Sequence, residues 1–251
     1  MEAVMFQKDH PAYPRLQALG KEITQQVKPK AIVAFSAHWQ AEPNVIEVNT
    51  AEETDLIYDF YGFPAHYYKE KFPNKGSKEV GEKVLKSLAN AGIMAKSTKR
   101  GLDHGVWACF KVVQVSLFDS DDPHQHYALG RAVESLREEN ILIVVSGMAV
   151  HNLRDIRFAM MDGSGPLPYV EPFDDALKDA TESPVEVREQ KMADLLSTRL
   201  ARMAHPSFEH VLPIHIGAGA AGNDLGKRLW TYPELSMSWA QYRFGEVPST
   251  A

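Results

Sequence analysis

Two short apolar runs constrain this chain most. AIVAFS (31–36) and ILIVVSG (141–147) are continuous, aliphatic and rich in β-branched residues, and each is followed within a few residues by a histidine, His38 or His151. A run of this length with no polar alternation reads as a strand covered on both faces, the kind found in parallel sheets. Covering both faces takes helices, so the runs call for an α/β layer architecture. An open sheet of that class holds its site at the carboxyl edge of its strands, and a histidine there stands where ligands bind.

The rest of the chain alternates accordingly. Asp9 is expected to cap a helix that starts at Pro11 and carries Leu16, Ile23 and Val27 on one face. NVIEV (44–48) is a second, weaker strand, and YDFYGFPAHYY (58–68) an aromatic, turn-rich loop. Ser77 opens a helix through Val80, Val84 and Leu88 that Gly92 ends. IMAKST (93–98) reads as a strand. Asp122, Pro123 and Gln125 form a capping-box variant that starts a helix to Glu139. ILIVVSG is the clearest buried strand, and DGSGPLP (162–168) a loop. Helical stretches follow near 172–181 and 185–203, and HVLPIHIGAG (210–219) and SMSWAQYRF (236–244) read as late strands. The pattern predicts one α/β domain over residues 1–251, with a mixed or mostly parallel central sheet flanked by helices and a site at one sheet edge.

Composition narrows the classes of partner. A net charge of −6 argues against nucleic acid or an anionic membrane as the main partner, since both select for excess Lys and Arg. The single cysteine, Cys109, allows no intrachain disulfide and fits a reducing compartment. No apolar run approaches the roughly 20 residues of a membrane span, and MEAVMFQKDH has no signal-peptide core. A soluble, cytoplasmic protein is the expectation.

The chemistry is carried by histidines. His38 ends AIVAFSAHW, His104 sits in GLDHGVW, His151 follows the strongest strand and a Ser-Gly turn, and His210 lies in FEHVLPIHIGAG. Neutral imidazole is both the commonest metal ligand and a general acid/base near neutral pH. Each also has a plainer reading: His38 as a strand-end histidine satisfied by backbone, and His104 as part of a turn that caps a helix at Val106. His215, inside an apolar run, reads as a satisfied core histidine. The spacing around His210 is not the HExxH of zinc proteases. Gly217-Ala-Gly219-Ala-Ala-Gly222 matches the letters of a dinucleotide fingerprint, but only 29 residues follow it, so the glycines read as sites of tight packing instead.

SAHW (36–39), DFYGFP (59–64), GLDHGVW (101–107), SGMAVHNLR (146–154) and EHVLPIHIGAGAAG (209–222) together resemble the class III extradiol ring-cleavage dioxygenases, most closely their single-chain DOPA 4,5-dioxygenase-like branch. The likeness runs in order over nearly the whole chain. It implies a metal-dependent enzyme that opens the ring of a catechol such as DOPA, or a related aromatic diol, and inserts both atoms of O2. Iron(II) is the implied catalytic metal, with zinc(II) often present in isolated protein. By resemblance His38 and His210 match metal ligands, His151 matches a histidine beside the metal that is either base or further ligand, and His104 matches a loop histidine acting on substrate. Phe60 and Phe63 would form an apolar wall for the ring, and Arg154 reads equally as a partner for a substrate carboxylate or as a surface helix residue. Partners would be small molecules, a catechol and O2, with no nucleic acid and no membrane.

Two departures accompany the resemblance. Family members usually open on a strand ending in His-Gly, whose histidine is a ligand, and this sequence opens on what resembles the segment after it. FKVVQVSL also offers no turn residue between a helix over 106–111 and the next strand. A long backbone step between Phe110 and Val115 and an unfilled place in the sheet beside residues 31–36 are therefore expected. Two rival readings follow: a metal-binding homologue without activity, and a zinc hydrolase using His38, His151 and His210 around a water.

Overall fold

The structure, a computed structural model, describes residues 7–106 and 112–247. The first helix, α1 (Ala12–Glu22), leads through a π-helical turn at Ile23–Val27 into strand β1 (Ala31–Gln40). The order continues β2 (Ile46–Asn49), β3 (Glu53–Thr54), β4 (Asn74–Lys75), α2 (Lys78–Asn90), β5 (Ala95–Thr98), β6 (Val112–Leu117), α3 (Pro123–Val133), β7 (Ile141–Ser146), β8 (Val150–His151), α4 (Ile156–Asp162), α5 (Val170–Thr181), α6 (Val185–Leu196), α7 (Arg199–Ala204), α8 (Leu212–Ala220), β9 (Gly226–Glu234) and β10 (Met237–Phe244).

The main sheet has the order β5-β2-β6-β1-β7. β1 runs parallel to both neighbours, with Ile32 opposite Val112 and Ala31 opposite Ile141, while β2 is parallel to β5 and antiparallel to β6. The sheet is thus mixed and mostly parallel. Alternation along β1 sends Val33 and Phe35 to one face, against Val84 and Leu88 of α2, Leu129 of α3 and Ile216 of α8. Ile32 and Ala34 go to the other face, against Ile23 and the aromatic loop residues Phe60 and Tyr67. A third core lies between helices α5–α8 and a small antiparallel sheet of order β8-β10-β9.

Several local expectations change. The segment 210–219 is not a strand: it becomes α8, with Pro213 in its first turn, where a missing N–H costs nothing and would have cost a ladder bond in a strand. Its glycines serve close helix packing. A Cβ on Gly219 would stand 2.1 Å from the Tyr127 carbonyl oxygen of α3, and one on Gly130 of α3 would stand 2.0 Å from that of Ile216. Asp9 does not cap α1: the N-cap position is Pro11, which has no capping side chain, and the Ala12 N–H is taken by His10 Nδ1 at 3.1 Å. Ser77 does cap α2, accepting from the Val80 N–H at 3.2 Å. Asp122 caps α3 through the His124 N–H at 2.9 Å, but Gln125 bonds the Pro43 carbonyl instead of closing a box, and the helix tightens into a 3₁₀ turn over Glu134–Glu139.

β7, expected to be the best buried strand, is the edge strand, and most of its residues are only half buried. The apolar run was correct evidence for a strand, but composition does not show which neighbours a strand has. The place beside β1 is filled on both sides, by β6 and β7, so the expected vacancy there is absent. The open edge lies one strand farther out, where β7 borders a cavity of about 970 Å³ that reaches α1, α8 and β10 and has His210 in its lining. The expected backbone step after Phe110 falls partly on residues 107–111, outside the described residues, and β6 begins directly at Val112.

His205 and His215 are buried in the core. His205 Nε2 faces the Ala149 carbonyl at 2.8 Å, and His215 lies between the carbonyls of Val211 and Met192. Burial pushes both pKa values down to about 4. Unfolded histidine titrates near 6.5, so the unfolded chain binds more protons between these values. The contribution of each to stability is complete above about pH 6.5 and is lost as pH falls toward 4, by an amount on the order of 3 kcal/mol each. Urea midpoints measured from pH 7.5 to 4.5 should therefore fall steeply below pH 6.5. A flat profile would show that these imidazoles protonate without cost to the fold.

Candidate functional site

The four histidines singled out in the sequence come together at the carboxyl ends of β1 and β7. Ring centroids of His38 and His104 are 4.1 Å apart, those of His38 and His210 5.2 Å, and those of His151 and His210 3.6 Å with the planes stacked. Each arrives by a different local device. His38 is the eighth residue of β1, partly buried between Ala37 and Trp39. His151 ends β8, paired with Met237 of β10, and is followed by a tight turn in which Asn152 Oδ1 accepts the N–H groups of Arg154 and Asp155. His210 sits in the turn before α8, not on a strand. Its carbonyl accepts the Met148 N–H at 2.9 Å, and a Cβ on Gly147 would stand 2.2 Å from that same oxygen. Glycine at 147 is what lets the chain leaving β7 pass His210.

His104 is carried by a loop anchored from beneath. The Asp103 side chain is fully buried and accepts from Ser36 Oγ at 2.8 Å, the Gly105 N–H at 3.1 Å and Arg100 at 3.2 Å, with a further bond from Gln114. The Asp-His turn expected from the sequence is thus tied to β1 and β6.

Sequence reasoning did not single out two carboxylates here. Asp59, the first residue of DFYGFP, accepts at Oδ1 from both the backbone N–H (3.1 Å) and Nδ1–H (2.8 Å) of His104. Its Oδ2 lies 2.8 Å from His38 Nδ1, close enough for an ion pair but bent away from a linear hydrogen bond. Glu209 Oε1 lies 2.9 Å from Nδ1 of the neighbouring His210. The acidic residue beside His210 was visible in the sequence. Nothing local linked Asp59 to histidines 21 and 45 residues away.

Charge follows this geometry. Burial alone would raise Asp59, but the bonds from His104 and His38 outweigh it and hold the carboxyl well below its ordinary range. Glu209 is likewise pulled down to about 2 against its burial, chiefly by His210 and Ser207. Burial, reinforced by neighbouring His210, pushes His151 down to about 3, and burial also lowers His210. At neutral pH the centre therefore holds two carboxylates and a neutral His151.

The donor set fits a divalent metal. His38, Asp59 and His104 form one group, and His151, Glu209 and His210 another, each offering ligand atoms within 4.8 Å of one another. Imidazole and carboxylate are the donors that non-haem iron(II) and zinc(II) take. Phe60 is buried with its ring edge-on to His104 at 5.6 Å, and Phe63 packs on Phe60 and stacks on Tyr67. Arg154 is exposed in the turn after His151.

The chain is similar to known proteins over nearly its whole length. The family model for the catalytic LigB subunit of aromatic ring-opening dioxygenase matches residues 3–245. A 4,5-DOPA dioxygenase extradiol-like protein of Schizosaccharomyces pombe is 34% identical over 227 residues, covering 86% of this chain and 75% of the relative. A 4,5-DOPA dioxygenase extradiol of Beta vulgaris is 34% identical over 237 residues, covering 86% and 83%. A solved structure of an uncharacterised Escherichia coli K12 protein superposes with a TM-score of 0.72 at 28% identity, over 92% of this chain and 91% of that one. Among the described residues no helix is long and apolar enough to cross a membrane. The family match over nearly the whole length, on a fold that gathers four histidines and two carboxylates at one sheet edge, identifies the chain as a member of the LigB family of metal-dependent aromatic ring-opening dioxygenases.

Proposed function

We propose that this protein is an extradiol dioxygenase that opens the ring of a catechol such as DOPA, with iron(II) as its working metal. The observation that carries the reading is the convergence of His38, His151 and His210, with His104 beside them on an anchored loop. His38 and His210 serve as ligands, with His151 at the same centre as ligand or base. When bound, iron(II) supplies Lewis acidity toward the catechol hydroxyls and the redox capacity to engage O2.

The protein's own groups do the rest. His151, held neutral by burial, keeps a ring lone pair to offer the metal at neutral pH. His104 has its Nδ1 engaged by Asp59, which leaves Nε2 to exchange a proton with substrate. Phe60 and Phe63 give the ring an apolar wall. Arg154, three residues beyond His151, is the group proposed to meet a substrate carboxylate.

Anaerobic loading with iron(II), followed by a panel of catechols, tests this. Oxygen uptake equal to the catechol consumed, with a yellow ring-opened product, is the expected result. Tight iron binding with no uptake on any catechol would leave a silent metal-binding homologue instead. Ester hydrolysis restored by zinc but not by iron would favour a hydrolase.

A further inference from the structure

We propose that Asp59 is a shared positioning residue: its single carboxylate holds the rings of His38 and His104 together, so that metal binding and proton transfer depend on one side chain. The inference rests on the metal-centre reading above and assigns a role to a residue outside the histidine set.

Asp59 heads the aromatic loop, and its two oxygens face different histidines. Oδ1 takes the main-chain N–H and the Nδ1–H of His104, and Oδ2 lies 2.8 Å from His38 Nδ1. An ionised carboxylate only accepts hydrogen bonds, so the ring nitrogen facing it carries the proton. In a neutral imidazole the other nitrogen, Nε2, then holds the lone pair. Asp59 thus sets the tautomer of His104 and leaves its Nε2 available as a base, while Oδ2 holds the place of the His38 ring through a 2.8 Å contact that falls short of a linear hydrogen bond. The two rings lie 4.1 Å apart at an interplanar angle of 70°, so one carboxylate spans them without either ring turning away.

An outer carboxylate that orients a metal-bound histidine is a recurring arrangement, and its loss costs about 10- to 100-fold in metal affinity or activity. Oδ1 already has two donors, which argues against Asp59 being itself a ligand through that atom. Glu209 differs: the histidine it holds, His210, is its chain neighbour. Asp59 links histidines brought by a strand and by a loop, so its removal should loosen one with respect to the other.

The test is a double-mutant cycle read by zinc(II) titration calorimetry on the full chain. Asp59→Ala is expected to weaken zinc binding about 10- to 100-fold. In a His38→Ala background the same change should cost less than about 2-fold, because the positioning acts through His38. Asp59→Asn keeps the shape but only one acceptor oxygen, and should fall between; it carries the comparison if the alanine variant does not fold. Ring ¹⁵N shifts of the metal-free protein give a second readout: Nδ1–H in the His104 ring of the wild type, and its release in Asp59→Asn. A loss of zinc affinity as large without His38 as with it would overturn the assignment and make Asp59 a ligand or a general support of the fold. Unchanged affinity in Asp59→Asn and Asp59→Ala would also overturn it. A wild-type chain that binds no zinc would instead defeat the metal-centre reading, and this inference with it.

Discussion

His104→Ala is expected to lower turnover of a catechol by roughly 10²-fold or more, the usual cost of losing a general acid/base, while the metal content stays near that of the wild type. His104 is held by Asp59 and by the loop tied down through Asp103, so truncating its ring leaves the loop's anchors in place. His151→Ala should produce a fall of similar size, since this buried, neutral imidazole is stacked on His210 within the same centre. His38→Ala is the contrasting variant: its loss is expected to weaken metal binding and lower the metal per chain, with activity falling as a consequence. Metal per chain and kcat measured on the same samples separate the three. Loss of metal in His104→Ala together with retention in His38→Ala would reverse the roles of strand and loop histidine.

The second large effect lies away from the site. Gly219→Val is expected to destabilise the fold by about 3 kcal/mol or more, because overpacking against backbone has no low-energy escape. The added Cβ would meet the Tyr127 carbonyl oxygen at 2.1 Å and the Arg131 nitrogen at 3.1 Å, both main-chain atoms of α3. Helices α3 and α8 would have to separate, and with them Ile216, Leu129 and the face of the sheet they cover. For a chain of this size such a loss corresponds to a fall of roughly 6–12 °C in Tm. Gly20→Ala is the control. Gly20 lies inside α1 with nothing within 4 Å of the added carbon, so this change should gain up to about 1 kcal/mol from helix propensity. Similar Tm values for Gly219→Val and wild type would mean that α3 and α8 do not pack as closely as their glycines allow.

Much of the site was legible in the sequence because its histidines stand at places where local rules are strong. His38 and His151 follow apolar runs, and a run of that kind fixes a strand and the polar residue beyond its end. His104 stands in a Gly-Leu-Asp-His-Gly turn that Asp103 closes locally by accepting the Gly105 N–H, although the bonds from Ser36 and Gln114 that bury it come from the sheet. Ser77 and Asp122 announced their helices because an N-cap side chain bonds an N–H only two or three residues away. His210 was found for a partly wrong reason: the segment after it is a helix, and a short apolar run with small residues does not separate helix from buried strand by period alone. The proline in its first turn carried the better information.

Tertiary structure decided what depends on distant neighbours. ILIVVS is aliphatic enough for the middle of a sheet, yet β7 is its edge, because strand order is set by how crossovers pack and not by the strand's own composition. GAGAAG has the letters of a phosphate loop but packs into the fold instead, Gly219 against Tyr127 and Arg131 of α3 and Gly217 against Val145 of β7. Asp59 acquires its place from His104 and His38, 45 and 21 residues away, and hydrogen bonds across such separations leave no periodic trace in a sequence. The sequence by itself therefore determined β1 and β7, the caps of α2 and α3, and the imidazoles, whose causes lie within a few residues. The fold decided which of them meet and which carboxylates orient them, since those contacts exist only once the sheet has been assembled.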